Sequence, residues 1–231
     1  MPFSQASIDF LVENAAQDSR DWFRSHRGVF DEVLMAPFVE LVDALAPRML
    51  EIDPHLITEA KVDRTLSRIY RDTRFSQDKS LYRENMWLVF MREKKLYEGL
   101  PAFYFDMGPD GFSYGMGYYR ASSASMQAIR RLILDNSAGF LLADKAYRHQ
   151  NVFAMEGECY KRSKYPAARE HQQEWLNKKS ISFNCTSGDE RLLFSDELAG
   201  TLQEGFCLLA PIYEFLCQAE TQRDLAGVIH G

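Results

Sequence analysis

The chain has 231 residues, 46% of them apolar and 26% charged, with a formal net charge of −6. A chain of that length buries roughly 70% of its unfolded surface, so it needs no disulfide or metal staple. The negative sign argues against wholesale binding of nucleic acid or anionic membrane, whose phosphates repel it. The start, Met1-Pro2-Phe3-Ser4-Gln5, lacks the basic region and apolar run of a signal peptide. No stretch approaches the roughly 20 apolar residues that cross a bilayer. Cys159, Cys185, Cys207 and Cys217 are widely spaced and form no C-x-x-C pair. Free thiols and a cytoplasmic setting are the expectation.

In chain order, the first third predicts helices. Ser4 precedes an apolar pattern at Ile8, Leu11 and Val12, with Phe3 placed to pack back on the first turn. Ser19 caps a second helix, in which Trp22, Phe23, His26, Phe30, Val33 and Leu34 recur at helical spacing. Pro37 is tolerated only in a first turn, so Met35-Ala36 ends or kinks that helix. A third helix carries Phe38, Leu41, Val42, Leu45 and Met49, and Asp53-Pro54 closes it.

The period then changes. Arg64 to Tyr70 alternates as a strand with one polar edge, and Asn85 to Met91 is apolar on both faces, as a central strand is. Arg92-Glu93-Lys94-Lys95 is a solvated connection. Ala102–Asp106 and Phe112–Tyr119 flank Met107-Gly108-Pro109-Asp110-Gly111, a hairpin signal in which Pro presets the turn and Gly accepts positive φ. Helices follow from Ser122 or Ser123 and over Ala138–Arg148, then a strand over Val152–Tyr160, a short helix from Pro166 through Trp175 and a strand over Ile181–Cys185. Ser195, followed by two acids, caps a long last helix whose stripe runs through Leu198, Leu202, Phe206, Leu209, Ile212, Tyr213 and Leu216, with Pro211 as a kink. No repeat, low-complexity tract or linker interrupts the chain. The predicted fold is α+β, one domain over residues 1–231. A mostly antiparallel sheet of about five to six strands is packed by N- and C-terminal helices.

The string from Arg68 to Tyr82, RIYRDTRFSQDKSLY, closely resembles the R-I-x-R-D-x-R-F-S-K-D-K-x-P-Y-K signature of the domain-of-unknown-function family DUF2461. Asp21-Trp22-Phe23 is similar to the family's N-x-x-W-F element, Ile129-Arg130 with Leu132–Asn136 to its I-R-x-x-I helix, and Lys161-Arg162 with Pro166, His171 and Trp175 to a later stretch. The resemblance spans nearly the whole chain. It implies a compact α+β domain and no established activity. The chain departs from the pattern where Leu81 replaces a Pro and Tyr165-Pro166 stands where Gly follows Lys164.

Between Lys61 and Arg83 lie seven basic residues and three acids, +4 in a chain of −6. Arg forks recognise phosphate or carboxylate, and Tyr70, Phe75 and Tyr82 offer rings to stack. One reading is an anion pocket made by Arg68, Arg71, Asp72, Arg74, Lys79 and Tyr82, with Lys161 and Arg162 added from a second segment. Its partner would be an anionic small molecule or an acidic protein segment. The other is an internal ion-pair network, Arg71-Asp72-x-Arg74, that pins a long loop to the sheet. An enzyme acting on a phosphorylated or carboxylated metabolite is the alternative function, with Asp72 as base and Arg71, Arg74 and Lys79 orienting the anion. The remaining motifs favour plainer roles. Gly115-Met116-Gly117 lacks the third glycine and the βαβ context of a dinucleotide loop, so its glycines read as close backbone approach. The five histidines share no metal-ligand spacing. G-x-S-x-G is absent. No cofactor is expected.

Overall fold

The computed structural model describes residues 3–74, 77–93 and 99–229, with side chains described as far as Asp224. Phe75, the Lys94-Lys95 part of the solvated connection and His230 lie outside the described residues.

Helix α1 spans Gln5–Gln17, and the Ser4 N–H donates to Ser7 Oγ at 3.1 Å. Phe3 packs edge-on against Phe38 at 4.8 Å and on Phe105 at 6.1 Å. α2 (Arg20–Ser25) is capped by Ser19, whose hydroxyl accepts from Trp22 N–H. α3 (Arg27–Phe30), a π-helical turn (Asp31–Met35) and α4 (Ala36–Ile52) continue without a break. The chain therefore stays helical through Pro37, and the wider π turn absorbs the disturbance. Pro37 has no N–H for the Val33 carbonyl four residues back. The Ser7 hydroxyl supplies that bond from α1, at 2.6 Å.

After α4 come β1 (Met86–Phe90), β2 (Ala102–Gly108) and β3 (Gly111–Gly117). The Pro109-Asp110 turn joins β2 to β3, as the hairpin signal predicts. Gly111 sits there at φ +113°, and a Cβ would meet the Ser187 carbonyl at 2.3 Å. α5 (Ser123–Leu134) and α6 (Ala138–Arg148) are capped by Ser122 and Ser137. The strand expected over Val152–Tyr160 contracts to β4 (Ala154–Glu156), followed by Gly157 at φ +127°. α7 (Glu170–Leu176), β5 (Ser182–Ser187), α8 (Glu190–Leu193) and α9 (Glu197–Ile229) complete the chain. α9 runs through Pro211 as helix, and every residue of its predicted stripe is buried.

The fold is α+β, with one five-stranded antiparallel sheet in the order β1-β2-β3-β5-β4. β4 pairs with β5 in the register Met155↔Phe183. The segment Arg64–Tyr70 is no strand; isolated bridges, Val62↔Leu66, Leu66↔Leu88 and Tyr70↔Tyr82, tie it down. Burial along it does not alternate: Thr65, Leu66, Ser67 and Ile69 are buried while Arg64, Arg68 and Tyr70 are exposed. Gly115 and Gly117 lie against β5, where a Cβ at Gly115 would meet the Phe183 carbonyl at 2.0 Å. Close backbone approach accounts for both glycines.

The chain clusters into two compact units. The first takes the chain up to Phe90 with Tyr104–Tyr114 and Thr186–Glu204; the second takes Met91–Phe103, Gly115–Cys185 and the chain from Gly205. In the first, Phe3, Phe10, Phe23, Phe30, Phe38 and Phe105 make an aromatic core. In the second, Trp175 is fully buried against Phe140, Phe183 and Phe215, its indole N–H held by Asp144 at 3.0 Å. Among the described residues no helix is long and apolar enough to cross a membrane.

Candidate functional site

The segment from Lys61 to Asn85 has little regular structure, so its position rests on a few backbone bonds. Ser67 N–H donates to the Trp87 carbonyl and Val89 N–H to the Thr65 carbonyl, which lays its first part beside β1. Arg71 N–H to Leu81 and Arg83 N–H to Ile69 then close a loop, sealed by the Tyr70↔Tyr82 bridge. Asp18, in left-handed conformation at the end of α1, accepts the Leu81 N–H at 2.6 Å. A proline at position 81, as in the DUF2461 signature, could not make that bond.

Within this loop the arginines find carboxylates close by. Arg68 forks onto Asp63 with both bonds at 2.6 Å, and Arg74 onto Asp72 at 3.0 and 2.7 Å. Arg71 donates to Asp78 and, at 2.9 Å, to the Ser80 hydroxyl. Lys79 donates to the Thr73 carbonyl at 2.8 Å. All these side chains are well exposed, so water screens each pair and none of them anchors the loop strongly. The Arg74 guanidinium holds the Asp72 carboxyl down at about 2. Tyr82 is 1% exposed, between Phe23 at 5.3 Å and Tyr70 at 5.0 Å, so its ring is core and not a stacking platform. Its hydroxyl is shut away from solvent beside Tyr70. Burial pushes that phenol up, and Tyr70 beside it adds to the push. Lys161 and Arg162 belong to the second unit, where both are exposed.

A cleft of about 680 Å³ opens in the first unit, a size that suits a small-molecule site. Of the predicted residues, Arg71 and Tyr82 line it; Arg68, Asp72, Arg74 and Lys79 do not. The rest of its wall comes from Asp78, Ser80 and Arg83–Asn85 on the loop, Asp106 and Gly108 on β2, the Pro109-Asp110 turn and the start of β3. Asp106 accepts from the Asn85 amide at 2.7 Å. Burial pushes its carboxyl up to about 6, against the lowering pull of the Asn85 hydrogen bond and of Arg83. Arg83 donates to the Tyr70 carbonyl at 3.1 Å and lies 4.4 Å over the Trp87 ring. The cleft thus sets two guanidinium groups beside a carboxyl that burial pushes up to about 6.

Sequence reading missed Glu84, Asn85, Asp106 and Asp110. One signal existed for Asp106: it alternates with Phe103, Phe105 and Met107, which places it on the opposite face of β2 from that apolar row. Among the described residues no group of three or more His, Cys, Asp or Glu side chains could hold a metal ion.

An α+β chain with this antiparallel sheet and a polar cleft beside the basic loop defines the class. The chain belongs to the family described as Conserved hypothetical protein (DUF2461), which matches residues 6–215. No curated protein matches it.

Proposed function

We propose that the protein is a binding domain whose cleft takes a small polar ligand with an acidic group. The carrying observation is that Arg71, alone among the arginines expected to grip an anion, lines the cleft, with Arg83 on the same wall. Asp78, Glu84, Asp106 and Asp110 outnumber the two arginines in the lining. The ligand that fits therefore carries donors or an amine beside its phosphate or carboxylate.

The test is a thermal-shift screen of phosphorylated and carboxylated metabolites, amine-bearing members included. A ligand at a hundredfold excess over its Kd stabilises by about 2.7 kcal/mol, which raises the midpoint of a chain this size by about 5–10 °C. Arg71→Ala should fold with an unchanged midpoint and lose the ligand-induced rise. A rise that survives in Arg71→Ala removes the reading.

Asp106 favours a second reading, an enzyme acting on the same class of metabolite. At about 2, Asp72 is too weak a base for neutral pH and lies outside the cleft lining. A carboxyl near 6 suits general acid–base work. Incubating the binding metabolite with the protein and following its mass separates the two: a conserved mass keeps the binding domain.

A further inference from the structure

In the second unit, cations gather round the ring of Tyr160. The Lys164 ammonium lies 4.1 Å from the ring centroid, the Arg130 guanidinium 5.4 Å and the Lys179 ammonium 5.9 Å. Residues 158–179 carry six basic side chains against three acidic ones, +3 in a chain of −6. Of the three ring-facing cations, only Lys179 has a carboxylate partner among the described residues, Glu158 at 2.5 Å.

The stronger observation is beneath the count. Arg130 is 7% exposed, and its bonds go to the Leu176 carbonyl at 3.2 Å and the Lys178 carbonyl at 2.6 Å. Lys178 is held the same way, by the carbonyls of Met155 and Gly157 at 3.2 and 3.3 Å. Neither cation has an acid mate among the described residues. For Arg130, carbonyl dipoles and the Tyr160 ring face meet the guanidinium and leave its net charge standing, which is costly for a buried ion. Lys161 and Arg162, next to Tyr160 in the chain, are exposed, as is Lys164, and none of the three forms an ion pair among the described residues.

We infer that this cluster is a second binding site, for a multiply charged phosphate of the diphosphate class. Cations within 6 Å of one ring act together on one anion, because physiological salt screens over about 8 Å. A compact group of two to three negative charges uses that arrangement fully. Carboxylates strung along an acidic peptide would each meet one cation. Lys164 makes the contact at the ring, Lys161 and Arg162 join it from the same exposed segment, and buried Arg130 supplies fixed charge from beneath.

Isothermal titration calorimetry of the full chain with inorganic pyrophosphate tests the site. We expect saturable binding that falls at least tenfold in the triple variant Lys161→Ala, Arg162→Ala, Lys164→Ala, with circular dichroism unchanged. Arg71→Ala, the cleft variant, should bind pyrophosphate as the parent does, so failure of the cleft reading and failure of this one are distinguishable. Absent binding, equal binding in the triple variant, or loss in Arg71→Ala overturns the inference. So does a single-stranded oligonucleotide or an acidic peptide that binds more tightly than pyrophosphate.

Discussion

Two aspartates about one loop apart show how much their surroundings decide. Asp72 touches Arg74 through both oxygens and keeps its charge to very low pH. Asp106 is half-buried on β2, and its carboxyl rises from 3.8 to about 6. Between those two values the folded state holds the proton that the unfolded chain has released. Stability therefore falls as pH rises from about 4 to 6, and the penalty is complete above that range. Solvent screening at this partly exposed carboxyl reduces the penalty to about 1–2 kcal/mol. Asp106→Asn should accordingly be more stable than the parent by that amount at pH 8 and equal to it at pH 4, measured by urea unfolding. A gain of the same size at both pH values would mean that the carboxyl holds no extra proton.

At the scale of elements, the join between the π turn and α4 depends on a partner far away in sequence. Ser7 is fully buried and gives its hydroxyl hydrogen to Val33, the carbonyl that Pro37 deprives of its helical donor. Ser7→Ala leaves that carbonyl without a donor and should cost about 1–3 kcal/mol, read as a lower urea midpoint with an unchanged slope. A loss below about 0.5 kcal/mol would show that the π turn satisfies Val33 some other way. The sequence announces the proline's demand and hides its answer. Periodicity made α1, α4, α9 and the β2–β3 hairpin legible, because each carries its apolar spacing or its turn residues in one continuous stretch. The expected strand over Arg64–Tyr70 fails because its residue types alternate while its burial does not: Thr65, Leu66 and Ser67 are all buried in succession. The cleft was legible only at Arg71 and Tyr82. Asp106 and Asn85 stand 21 residues apart, and what raises one and orients the other is packing that no local pattern encodes.

At the scale of the molecule, the question is whether two compact units are two domains. Domain boundaries normally fall in exposed linkers that few contacts cross. Here the chain passes between units after Phe90, Phe103, Tyr114, Cys185 and Glu204. The passages at 103, 114 and 185 lie inside β2, β3 and β5, and the one at 204 lies inside α9. Melting either unit thus strips residues from strands and a helix that the other also uses, and a single cooperative transition is the expected consequence. The tryptophans make this measurable, since Trp22 and Trp87 report the first unit and Trp175 the second. Trp175→Phe leaves only the first pair fluorescent, and the double variant Trp22→Phe, Trp87→Phe leaves only the third. In each variant the fluorescence midpoint should coincide with that variant's own far-ultraviolet circular dichroism midpoint, which removes any change in stability from the comparison. Two separated midpoints within one variant would make the units independent domains despite the four shared elements.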